Sequence, residues 1–197
     1  MAGFLRQGGP VRRGGRLVDE TGAVTTWSVA EGRRGRRWRW AIVDRRGGLV
    51  VAHTLELDPD GRVVKLESAA ATGLLTLHRE ADASVHGNRV GERGVDHLEI
   101  PAPAPGLVIV GRGPVGLAAV SGSFAAAEGP RPVDALEVLD DLRVRVIGCG
   151  VRRGEGSTWE LMMGRSVRRV TLDTLGLPVG DEVDSTSWSL ERDETDD

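Results

Sequence analysis

The sequence predicts a mainly β fold, a curved antiparallel sheet or half-barrel with one short helical segment. Three observations predict it. Apolar and charged residues alternate one by one at Leu142-Arg143-Val144-Arg145-Val146, at Arg37-Trp38-Arg39-Trp40-Ala41-Ile42 and at Arg168–Asp173, the period of a strand with one face buried. Glycine-bearing turns separate such runs at intervals of about 8–12 residues, the spacing of hairpins in an all-β domain. Only Pro114–Glu128, rich in alanine, has a helical composition, and Pro130 and Pro132 close it.

The expected strands follow in order. Val24–Val29 leads into Arg37–Ile42 through a glycine-arginine loop, and Leu49–Leu57 follows after Arg45–Gly48. Asp58-Pro59-Asp60-Gly61 is the clearest turn. Proline suits its second position, and glycine supplies the positive φ that follows. Arg62–Glu67, Leu74–His78, Ser84–Val90 and Val95–Ile100 continue the meander, with a further turn at Gly91–Gly94. Pro101–Gly106 is a stiff loop, Leu107–Val110 a short apolar strand, and Pro114–Glu128 the helical segment. Leu142–Val146, Thr158–Met162 and Arg168–Asp173 close the set. A segment ending in an acid, Ala135-Leu136-Glu137, is short for a strand.

The chain has 197 residues, 40% hydrophobic and 28% charged, suited to one globular domain. Tyrosine is absent, and arginine supplies all basic residues but Lys65; with abundant alanine, glycine and valine, we read this arginine bias as the coding bias of a GC-rich genome. Residues 1–46 hold eleven arginines against four acids, whereas residues 173–197 hold nine acids against Arg192. The expected organisation is a flexible N-terminus over 1–11, a single antiparallel β domain over 12–190, and a disordered acidic tail over 191–197. No apolar run resembles a signal peptide or a membrane span, so a cytoplasmic protein with no integral membrane segment is expected. The lone Cys149 excludes an internal disulfide and a cysteine zinc cage.

Four motifs carry candidate chemistry. Leu107–Val110 followed by Gly111-Arg112-Gly113-Pro114-Val115-Gly116 has the strand–GxGxxG–helix form of a dinucleotide site. Such a site needs βαβ alternation, which the preceding antiparallel-type strands do not offer, so no flavin or nicotinamide is expected there. Arg33, Arg34, Arg36, Arg37 and Arg39 interleave with Trp38 and Trp40, as on a nucleic-acid surface. Alternation instead places the rings on one face and the arginines in solvent, and an acidic pI near 5.9 agrees, so no nucleic-acid partner is expected. His53, His78, His86 and His97 lie on consecutive strands without ligand spacing, so no metal is expected. Cys149, between two glycines, is expected as a small buried thiol.

Several stretches resemble a family of bacterial glycolipid-binding proteins: Arg37-Trp38-Arg39-Trp40, Leu74–Arg79, Leu142–Val146, Trp159-Glu160-Leu161 and Val170–Pro178. The resemblance implies a curved antiparallel sheet wrapped around an apolar cavity, as in lipoprotein carriers of the cell envelope, with helical material as a lid. The family's Asp-rich middle segment is absent, and Pro101–Val120 stands in its place, so no binding residue is carried over. Pattern alone places Trp38, Trp40, Leu75, Leu77, Val144, Val146, Trp159 and Leu161 on the inner face, as a ligand cavity or as a filled core. The expected function is binding of an apolar or amphiphilic, glycolipid-like small molecule, without a cofactor. The alternatives are a barrel-type enzyme acting on an apolar metabolite, and flavin or nicotinamide binding through the GRGPVG turn.

Overall fold

The computed structural model describes residues 11–180 and 188–189. The acidic segment 191–197 and residues 1–10 lie outside this range. Two sheets form the domain. The first has nine antiparallel strands: β1 (Val11–Val18), β2 (Val24–Gly32), β3 (Gly35–Val43), β4 (Leu49–Leu57), β5 (Val63–Ala70), β6 (Gly73–Arg79), β7 (Val85–Gly91), β8 (Gly94–Ile100) and the late β15 (Trp188–Ser189), which pairs outside β1. The second, a curled half-barrel, runs β14 (Pro178–Gly180), β13 (Ser166–Leu172), β12 (Thr158–Met163), β11 (Val144–Arg153), β10 (Val133–Val138) and β9 (Leu107–Val110).

Alternation decides what each strand of the first sheet buries. Val51, His53, Leu55 and Leu57 of β4 point inward, as do Trp38 and Trp40 of β3 and Leu75 and Leu77 of β6. Register aligns them into rows across the sheet. One row runs Trp27, Trp40, His53, Ser68, Leu75, and the next runs Val29, Trp38, Leu55, Leu66, Leu77. A register shift at Glu56/Leu57 brings Val63 onto the same face as Leu66 despite their odd spacing. The Asp58–Gly61 turn closes as its composition demands, with the Gly61 amide on the Asp58 carbonyl and Gly61 at φ 79°.

Two features depart from a plain antiparallel meander. The helical segment is broken into α1 (Pro114–Ala119), a 3-10 turn at Ser121–Ser123 and α2 (Phe124–Ala127). Gly122 and its flanking serines interrupt the helix, as residues that favour turn conformations do. More consequentially, β9 and β10 pair in parallel, so strand, GRGPVG turn, helical segment and strand form a βαβ crossover after all. The βαβ alternation that the glycine motif needs is thus present locally, in one unit only.

The helical segment packs on the second sheet, α1 against β9, β13 and β14 and α2 against β11, and reaches Trp40 of the first sheet through Gly116. Val115, Leu117, Val120 and Phe124 are all at most 2% exposed. A Cβ on Gly116 would sit 1.9 Å from the Val110 carbonyl oxygen and 3.7 Å from the Trp40 ring. Glycine is therefore the residue that lets α1 lie against β9 and Trp40. No described helix is long and apolar enough to cross a membrane.

Candidate functional site

The inner-face residues expected from the sequence divide into three groups. Trp38, Trp40, Leu75 and Leu77 are at most 5% exposed within the core, and Leu161 is 2% exposed on the second sheet. Trp27 packs on Trp38 with ring centroids 5.7 Å apart, and Trp40 stacks on His53 at 4.7 Å. Val144 and Trp159 are half-buried, with Trp159 against Phe124. Val146 departs from the expectation: it is 52% exposed although its cross-strand partner Leu136, which meets Leu66 and Leu77 of the first sheet, is buried. Where the sheets meet, Leu66, Leu77, Val85, Val108 and Leu136 leave only about 10 Å³, room for at most one water.

Two larger recesses open at opposite ends of the β9–β10 pair. The first, about 820 Å³, lies at the start of these strands. The β4–β5 turn brings Asp58, Asp60 and Arg62; the β6–β7 turn brings Glu80, Ala81 and Ala83; the helical segment brings Ser123, Ala126 and Ala127. Val63, Val64, Ala104, Leu107 and Val133 supply apolar wall, and Asp134 a further carboxylate. Arg79 pins the wall by donating to the carbonyl oxygens of Ala83, Ala104 and Pro105. The Ser123 hydroxyl reaches the Gly61 carbonyl oxygen at 3.4 Å, tying the 3-10 turn to the β4–β5 turn.

The second recess, about 790 Å³, occupies the mouth of the curled sheet at the far end. Glu137 lies at its floor with its side chain 2% exposed. Arg145 donates to one carboxylate oxygen at 2.7 Å, and Arg168 to the other at 3.0 Å. Arg168 also donates to the Gly111 carbonyl oxygen at 2.8 Å, which joins the GRGPVG turn to this network. Arg112, Ile147, Met163 and Leu139 complete the wall.

Between this recess and the core lies a polar cluster that periodicity did not single out. His53 is 2% exposed, and its Nδ1 lies 2.7 Å from the Ser68 hydroxyl. Burial lowers its pKa to about 4, so it is neutral at pH 7. Its Nε2 and the Asp140 Oδ1 are both buried without a partner. They converge above Gly111, at 3.6 and 3.0 Å from the point its Cβ would occupy. Burial raises the Asp140 pKa against the pull of Arg112 and Arg168. Ser68 is 3% exposed, so this Ser–His–Asp grouping presents no nucleophile at the surface. The signal in the sequence was the position of His53 in one cross-strand row between Trp40 and Ser68, which needs the pairing register to be seen.

The remaining motifs resolve simply. Arg37 and Arg39 point away from the tryptophans, and Arg37 pairs with Glu56. His78, His86 and His97 are exposed on the outer side of the first sheet, and no described group of three or more His, Cys, Asp or Glu could hold a metal ion. Cys149 is 1% exposed, and burial with Asp134 and Glu137 raises its pKa, so the thiol is unreactive. Comparison of the chain with protein-family models, curated proteins and solved structures gives no match.

Proposed function

We propose that the protein binds an amphiphilic small molecule with a hydroxylated, glycolipid-like head, and that the ligand sits in the recess at the start of β9 and β10. The supporting observation is that recess itself: about 820 Å³, within the roughly 300–1,000 Å³ of small-ligand sites. Its walls match the two halves of an amphiphile. Val63, Val64, Ala126 and Leu107 offer apolar surface, and Asp58, Asp60, Glu80 and Asp134 offer carboxylates that accept hydrogen bonds from sugar hydroxyls. Four acids against Arg62 and Arg79 disfavour an anionic head. Because the inner face of the first sheet is packed, the reading assigns the ligand to this end, away from Trp38 and Trp40.

Isothermal titration with octyl glucoside or dodecyl maltoside, below micelle formation, tests this reading. Saturable binding is expected for the glycosides and none for dodecyl sulfate. Ala126→Trp, at an exposed position, fills the recess without entering the core and abolishes the signal. Binding that is indifferent to Ala126→Trp, or no glycoside binding at all, overturns the assignment.

A further inference from the structure

We propose that the mouth of the curled second sheet binds a phosphate group carried on a small organic molecule, held by Arg112, Arg145 and Arg168. This site is independent of the glycolipid-like one and lies at the opposite end of the β9–β10 pair.

Charge carries the argument first. Three guanidinium groups from three elements, the GRGPVG turn, β11 and β13, line one recess of about 790 Å³. Glu137 is the only carboxylate in its described lining, and both its oxygens are already engaged, by Arg145 and Arg168. Asp140 stands nearby, close enough to act on Arg112 and Arg168. Even with Asp140 ionised, three cations face two carboxylates. Arg112 is exposed and forms no ion pair among the described residues.

Rigidity carries it second. The buried Glu137 clamps Arg145 and Arg168, and the Gly111 carbonyl oxygen holds Arg168 from the other side. Arg168 is 19% exposed at the side chain and Arg145 59%, so one forms a fixed wall and the other keeps donors free toward solvent. An anion entering here meets two cations, Arg145 and Arg168, whose ordering cost was met on folding, with Arg112 at the exposed side. Guanidinium groups approaching from different elements suit a tetrahedral phosphate with several terminal oxygens better than a planar carboxylate, which a single fork satisfies. Ile147, Met163 and Leu139 offer apolar surface to the rest of the molecule.

The arginines, rather than a helix, supply the positive field. Gly111 makes the tight turn at φ 65° and Gly116 the close strand–helix contact. The helix α1 that follows has six residues, too few to build the terminal charge that a dinucleotide site uses.

The test is titration calorimetry of the full chain at constant ionic strength with phenyl phosphate and with inorganic phosphate, alongside co-sedimentation with vesicles containing phosphatidic acid. Saturable phenyl phosphate binding, tighter than that of inorganic phosphate, is expected. Arg112→Ala should weaken it about tenfold, the loss of one charge-assisted contact, while Arg93→Ala on the distant β7–β8 turn leaves it within twofold. Absence of saturable phosphate binding overturns the proposal. So does equal weakening in Arg93→Ala, which would reduce the effect to overall charge. Binding to the vesicles without binding phenyl phosphate overturns the small-molecule source and leaves a lipid head group. Ala126→Trp should not affect any of these signals, which separates this site from the glycolipid-like one.

Discussion

Trp38 distinguishes a filled interior from a ligand chamber. Its side chain is 0% exposed, between Val29 and Leu55 in its cross-strand row and packed on Trp27 at 5.7 Å. Truncation to alanine in a packed site loses the burial of the indole and leaves a cavity, which costs about 3–5 kcal/mol. A domain of this size melts about 2–4 °C lower per kcal/mol lost, so Trp38→Ala should melt about 6 °C lower at the least. Trp38→Phe is the informative contrast. Nε1 of Trp38 is buried without a hydrogen-bond partner, and an unmet donor costs about 1–3 kcal/mol. Phenyl in place of indole gives up about 40 Å² of burial, or about 1 kcal/mol. The two effects nearly cancel, so Trp38→Phe should be near-neutral. Urea unfolding followed by circular dichroism measures both variants. A Trp38→Ala loss below about 1 kcal/mol would refute the packed interior, and a Trp38→Phe loss as large as that of alanine would show that the N–H has a partner.

Two further outcomes follow from single contacts. His53 binds its proton only near pH 4 when folded and near 6.5 when unfolded, so the unfolded state takes up the proton first and stability falls as pH drops from 6.5 toward 4, by about 3 kcal/mol in total. The raised pKa of Asp140 works in the opposite sense, because its destabilised carboxylate gains a proton more readily when folded. His53→Gln should flatten the decline between pH 6.5 and 4 in urea titrations, and an unchanged slope would exonerate His53. Gly116→Ala places a methyl group 1.9 Å from the Val110 carbonyl oxygen and should lower the melting temperature by about 5 °C or more as α1 is pushed off β9; an unchanged melting temperature would mean the helix has room to move.

The strands of the meander were legible because alternation is a local property. Arg37–Ile42 and Leu49–Leu57 each state in their own residues which side is wet, and the observed β4 has the expected bounds. The Asp58–Gly61 turn and the outward arginines beside Trp38 and Trp40 were legible for the same reason. The direction of strand pairing was not. Val133–Val138 buries four consecutive residues, Ala135 to Val138, and so shows no alternation; its parallel partner β9 lies 22 residues or more away across the helical segment. Such a pairing is a long-range choice made by burial on both faces.

Both recesses and the polar cluster share this dependence. Asp58, Glu80, Ser123 and Asp134 come together from four separate stretches, as do Arg112, Arg145 and Arg168 around Glu137. By itself the sequence determined which residues face inward along each strand, since the pleat turns residue order directly into face. Only the tertiary structure decided what meets that face. The rows containing Trp38 and Trp40 suited a ligand or a core equally, and they form one buried cluster with Val115, Leu117 and Phe124 of a distant segment, which makes them a core. Register and crossover geometry, which set that closure, are properties of pairs of strands and are carried by no single stretch of the chain.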